Sequence, residues 1–146
     1  MKILLIEDEP AKRELIEQAL NDLGSDIRIS SGRTVQQAVK LLREDEFDLI
    51  ILDMSLPSRE SRPGGAQPVS QPTGGVEVLL ELHYDDRLDP VVIVTQYPDI
   101  EFDKELYALN KAKQSLSKRL KVKIVDVIHF KPREQAWRDQ LGKALS

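Results

Sequence analysis

The chain reads as a doubly wound α/β domain on a five-stranded parallel sheet, and three observations predict it. Apolar runs at residues 3–6, 49–52 and 91–94 show no polar alternation, which marks strands covered on both faces. Stretches between them repeat apolar residues at helical spacing. The two kinds of segment alternate along the chain, the pattern of parallel strands joined by right-handed helical crossovers. With 146 residues there is room for a single domain, 1–146, of ordinary size.

Lys2-Ile3-Leu4-Leu5-Ile6 is the first strand and runs into Glu7-Asp8-Glu9. Pro10 suits the first turn of a helix, where its missing N–H is not needed. Ala11, Leu15, Ile16, Ala19, Leu20 and Leu23 form that helix's stripe, and Gly24 is its stop. A short second strand follows at 27–30. Thr34 is placed to cap a second helix with Val35, Ala38, Val39, Leu41 and Leu42 on its apolar side. Residues 47–53 are the third strand, 76–82 a helix, 91–94 the fourth strand and 123–130 the fifth. A closing helix starts at Pro132 and carries Ala136, Trp137, Leu141, Ala144 and Leu145. Two connections are long. Residues 58–73 are mostly Ser, Pro, Gly, Gln and Arg without apolar periodicity, and read as a flexible insertion. Phe102, Leu106, Leu109, Ala112, Leu116 and Leu120 stand near helical spacing and predict an extended fourth helix over 100–121.

Composition narrows the function classes. No apolar run approaches the ~20 residues that span a bilayer, and no cationic-then-apolar leader opens the chain. A cytoplasmic protein without a membrane partner is expected. The absence of cysteine excludes disulfides, thiolate catalysis and thiolate zinc sites. The net charge of −4 conceals a split, with −11 over residues 1–103 and +7 over 104–146. Mild overall acidity argues against direct nucleic-acid binding. The basic stretch Lys111, Lys113, Lys118, Arg119, Lys121 and Lys123 reads as a solvated helical face, or as a docking surface for an acidic partner or a second copy. His83 and His129 stand apart from any other metal-binding side chain of their class and read as packing or surface residues. The glycines at 64–65 and 74–75 lack the Gly-Lys-Ser/Thr that would follow in a P-loop.

In an open sheet of this kind, ligands bind outside the carboxyl ends of the strands. The first strand delivers Glu7 and Asp8 there, the third Asp53, the fourth Thr95 and the fifth Lys131-Pro132. Three carboxylates crowded together repel unless a cation intervenes, and oxygen-only donors favour a hard ion such as Mg²⁺. Mg²⁺ keeps positions for water and phosphoryl oxygens, so the set suits phosphoryl chemistry.

These motifs, in this order, resemble the response-regulator receiver domains of two-component signalling. The matching residues are Leu5-Ile6-Glu7-Asp8-Glu9, Leu52-Asp53-Met54-Ser55-Leu56-Pro57, Val92-Ile93-Val94-Thr95 and Phe130-Lys131-Pro132. The resemblance implies a flavodoxin-like fold with sheet order 2-1-3-4-5 and a phosphorelay switch that is not an enzyme beyond its own phosphorylation and dephosphorylation. Asp53 would accept the phosphoryl group from a histidine kinase or phosphotransfer protein. Glu7, Asp8, Asp53 and the Ser55 backbone carbonyl would arrange Mg²⁺. Lys131, aimed by a cis bond to Pro132, and the Thr95 hydroxyl would meet the phosphoryl oxygens. The signal would emerge on the face of the fourth helix, fifth strand and fifth helix, toward a downstream protein or a second copy. Where many receivers carry a switching aromatic, this chain has Ile128, and Tyr97 stands close enough to Thr95 to slow dephosphorylation. The chain would be a stand-alone receiver or part of a longer protein. The competing reading is a phosphorylation-independent interaction module on the same fold. A haloacid-dehalogenase type of phosphatase would need an acid two residues after Asp53, where Ser55 stands.

Overall fold

The computed structural model describes residues 1–61, 63–65 and 69–146. Its main sheet has five parallel strands, β1 (Lys2–Ile6), β2 (Arg28–Gly32), β3 (Leu49–Leu52), β4 (Pro90–Thr95) and β7 (Lys123–His129), in the order β2-β1-β3-β4-β7. This is the expected 2-1-3-4-5 order once an added hairpin, β5 (Asp99–Phe102) with β6 (Glu105–Ala108), is set aside. The helices are α1 (Pro10–Leu23), α2 (Val35–Glu44), α3 (Gly74–Tyr84), α4 (Leu109–Arg119) and α5 (Ala136–Leu145).

The unbroken apolar runs are explained by two cores, one on each side of the sheet. Leu4, Ile6, Ile50, Leu52, Val91 and Ile93 face α2, α3 and α4, while Ile3, Leu5, Leu49, Ile51, Val92 and Val94 face α1 and α5. Alternate residues of one strand thus serve opposite cores, and none is free to be polar. A bulge in β7 opposite Val91 and Val92 changes the parity of that strand. Ile124 therefore joins the first core, whereas Ile128 and Phe130 join the second. Thr34 caps α2 by accepting from the Gln37 N–H at 3.0 Å.

Three expectations are corrected. The extended helix over 100–121 is a hairpin followed by the shorter α4. Asp103 and Lys104 both take positive φ, 51° and 66°, the conformation of a two-residue turn whose twist matches paired strands. Ile100 and Phe102 then alternate inward at strand spacing, and Arg119 ties the hairpin to α4 by bonding Asp103 and Tyr107 and stacking on Phe102. Arg119 is thereby a structural tie, while Lys111, Lys113 and Lys118 remain on the exposed side of α4. The last helix begins at Ala136, four residues after Pro132, because 131–135 first form a turn closed by Glu134 N–H to Lys131 C=O at 2.9 Å. The Lys131–Pro132 peptide bond is trans, not cis.

The insertion at 58–73 is pinned at its base. Leu56 and Gln71 exchange backbone hydrogen bonds of 3.1 and 3.0 Å, and the carbonyls of Pro57 and Ser58 receive N–H groups from the first turn of α2. The expected flexibility of Arg62 and of 66–68 lies outside the described residues. His83 accepts from the Lys121 N–H and His129 bonds the Gln96 carbonyl, so both pack locally. No helix among the described residues is long and apolar enough to cross a membrane.

Candidate functional site

The sheet order reverses between β1 and β3, and the carboxyl ends of these two strands lie side by side there. Glu7 and Asp8 follow β1 directly, and Asp53 follows β3. Carboxylate oxygens of these three residues all lie within 4.8 Å of one another. Glu7 and Asp53 are buried and Asp8 is half-buried. Thr95, at the end of β4, is fully buried, and its hydroxyl oxygen accepts the Tyr97 N–H at 3.1 Å. Ser55 is half-buried beside Asp53. The described geometry brings Glu7, Asp8 and Asp53 together, with Ser55 two residues after Asp53 in the chain and Thr95 at the carboxyl end of β4, two strands from β1.

Three other predicted residues take no part in the ion pairs of this cluster. Lys131 is exposed and forms no ion pair among the described residues. Tyr97 is half exposed, joined to the site through its backbone alone, whereas Ile128 is sealed in the second core.

The cation that does touch the Asp53 carboxylate is Lys12, in the first turn of α1. It is 2% exposed, and its Nζ lies 2.8 Å from Glu7 Oε2, 3.2 Å from Asp53 Oδ1 and 2.8 Å from the Val94 carbonyl. Its local signal was present in the sequence. Lys12 precedes Ile16 by four residues and Ala19 by seven, so it continues the buried stripe of α1 toward the site. A second unanticipated contact comes from the insertion, where the Ser70 hydroxyl donates to Asp8 Oδ2.

Burial pushes the Glu7 carboxyl up to about 8 from the ordinary 4.5; the Lys12 charge opposes the rise and the Asp53 charge adds to it. Burial likewise raises Asp53, against the pull of Lys12. Between these limits the folded protein holds the Glu7 proton while the unfolded chain has released it. Stability without metal should therefore fall as pH rises from about 4.5 to about 8. Glu7→Gln should flatten that decline, which thermal unfolding in EDTA across this range would read; a parallel decline in the variant would refute the assignment.

The donor set fits a hard divalent cation. It is all oxygen, and Glu7 Oε2 is buried without a well-directed hydrogen bond among the described residues, its 2.8 Å contact with Lys12 being an ion pair. Glu7, Asp8 and Asp53 are the groups placed to hold such an ion.

Comparison with known proteins follows the same lines. Residues 3–128 match the family described as the response regulator receiver domain. The chain belongs to this family. This receiver is 44% identical over 105 residues to the Detocs response regulatory protein DtcB of Vibrio alginolyticus, an alignment spanning 70% of each chain. Its fold is that of the phosphorylated cyanobacterial phytochrome response regulator RcpA (TM-score 0.67, 24% identity, 99% of this chain and 89% of that one). It is also that of the response regulator TrrA of Thermotoga maritima, solved with Mg²⁺ and BeF (TM-score 0.59, 20% identity, 98% and 97%). At these identities the structural likeness speaks for the receiver fold alone.

Proposed function

We propose that this receiver is a phosphorylation-dependent switch in which Asp53 takes a phosphoryl group from a histidine kinase or a phosphotransfer protein. The observation that carries the reading is the cluster of Glu7, Asp8 and Asp53 oxygens within 4.8 Å at the point where the strand order reverses. An Asp53 oxygen attacks phosphorus, the phosphorus–nitrogen bond of the donor's phosphohistidine breaks, and the imidazole leaves. When bound, Mg²⁺ supplies charge neutralisation between the carboxylates and the incoming phosphoryl oxygens. Its holders are Asp8, Asp53 and the Ser55 carbonyl, with Glu7 in support. Lys131, free at the surface, provides the ammonium for a phosphoryl oxygen.

Thr95 links chemistry to output. Its oxygen already accepts the Tyr97 N–H, and its own O–H remains available to donate to the phosphoryl group. A new dianion on Asp53 then acts through Thr95 on the backbone at Tyr97, two residues before the β5–β6 hairpin. With Ile128 in the core, this backbone link replaces an aromatic swing. The responsive surface is that of α4, β7 and α5, and it engages a downstream protein or a second copy in the cytoplasm.

Acetyl phosphate with Mg²⁺, read by intact mass, tests the proposal. Wild type should gain one phosphoryl group and Asp53→Asn none. An unmodified wild type that also binds beryllofluoride no better than Asp53→Asn would leave the interaction-module reading in its place.

A further inference from the structure

We propose that Lys12 is a positioning residue, the resident counter-ion of the phosphoacceptor, holding Glu7 and Asp53 together before any metal arrives and weakening the site's hold on a divalent cation. The second clause rests on the metal-assisted reading above; the first rests on geometry alone.

Lys12 occupies a place where an apolar side chain would ordinarily be favoured. It lies on the stripe of α1 that continues through Ile16, Ala19 and Leu20 into the second core. Burying an ammonium there is costly unless every donor is matched. Lys12 has three N–H donors; one is bonded to the Val94 carbonyl, and the ammonium lies at ion-pair distance from Glu7 Oε2 and Asp53 Oδ1. These oxygens come from the ends of β1, β3 and β4, the three central strands of the sheet. The face of Phe130, 5.5 Å from Nζ, closes the remaining side. This is a fully enclosed cation.

The consequences follow from charge. Whenever both are ionised, the buried Glu7 and Asp53 carboxylates would repel each other without a cation between them. Lys12 removes that repulsion, so the acceptor carboxylate is oriented in the metal-free protein. The same ammonium repels any divalent cation that the carboxylates attract. Lys131, exposed and without an ion pair among the described residues, does not perform this service in the state described.

The test uses Lys12→Met, close in length and apolar, alone and combined with Glu7→Gln. In EDTA, Lys12→Met should melt about 5 °C or more below wild type. Adding Glu7→Gln should recover most of that loss, because it removes the buried carboxyl that Lys12→Met leaves without its cation. The gain from Glu7→Gln should be larger in the Lys12→Met background than in wild type, which lost packing alone would not produce. In calorimetric titration with Mg²⁺, Lys12→Met should bind at least about tenfold tighter than wild type. Should Lys12→Met not fold, the double variant carries the stability comparison. Equal melting of Lys12→Met and wild type, no extra gain in the double variant, or an unchanged Mg²⁺ affinity would each overturn the proposal. Failure of wild type to take up a phosphoryl group would instead overturn the switch reading while leaving the EDTA comparison intact.

Discussion

Gly75→Ala is expected to destabilise the fold by about 3 kcal/mol, near the upper end for overpacking, and to slow phosphoryl uptake at Asp53. A Cβ on Gly75 would fall 2.3 Å from the Asp53 carbonyl oxygen, 2.5 Å from the Met54 methyl carbon and 2.7 Å from the Met54 Cα. Two of these three are backbone, so no side-chain rotation relieves the clash. The Gly75 N–H also donates to the Met54 carbonyl at 2.9 Å, which fixes the start of α3 against the loop after β3. Either α3 retreats and breaks that bond, or the backbone carrying Asp53 moves. Gly74 is under the same constraint, with its added Cβ 2.5 Å from the Leu56 carbonyl oxygen. Urea unfolding should show a lower midpoint with an unchanged slope, and acetyl phosphate labelling followed by mass should be slower. A loss below about 0.5 kcal/mol would mean that α3 does not abut the loop this closely.

Trp137→Ala should remove about 4 kcal/mol, the range for deleting a buried aromatic. Trp137 is 1% exposed and packs its ring against Phe130 at 4.8 Å between centroids, while the Arg138 guanidinium lies over it at 4.3 Å. It is the main anchor of α5 to the second core. The same Phe130 forms one wall around Lys12, so the cavity should loosen the site as well as the helix. Urea unfolding reads the loss, and hydrogen exchange should quicken in α5. Trp137→Phe is the control. It keeps an aromatic ring and removes an indole N–H that has no partner among the described residues, so a loss below about 1.5 kcal/mol is expected. Equal losses in the two variants would show that the aromatic packing is not what holds α5.

Some features were legible because their physics is local. The residue after an apolar run sits at the carboxyl end of a strand wherever that strand lies, so Glu7, Asp8, Asp53 and Thr95 could be assigned to one edge of the sheet before any packing was known. The cap at Thr34 and the proline at the start of α1 are equally local. The 100–121 stretch carries two periodicities at once, because Phe102, Leu106 and Leu109 satisfy helical spacing while Ile100 and Phe102 also satisfy strand spacing. Asp103 and Lys104, which adopt the left-handed turn, are not glycine or asparagine and give a weak signal. The late start of α5 has a similar origin, since proline tolerates both a first helical turn and the non-helical turn found here.

The alternation of elements, the two-sided burial of the central strands and the gathering of acids at one end of the sheet are written in the order of side chains along the chain. Each follows from which side chains avoid water along a short segment. The tertiary structure alone decided which cation meets Asp53. Lys131 was the residue in the expected motif, but it faces solvent. Lys12, 41 positions from Asp53 in the chain, is carried inward because its place on α1 turns it toward the ends of three strands. An ammonium is stable there only with three acceptors around it, and those acceptors come together only when the sheet is built.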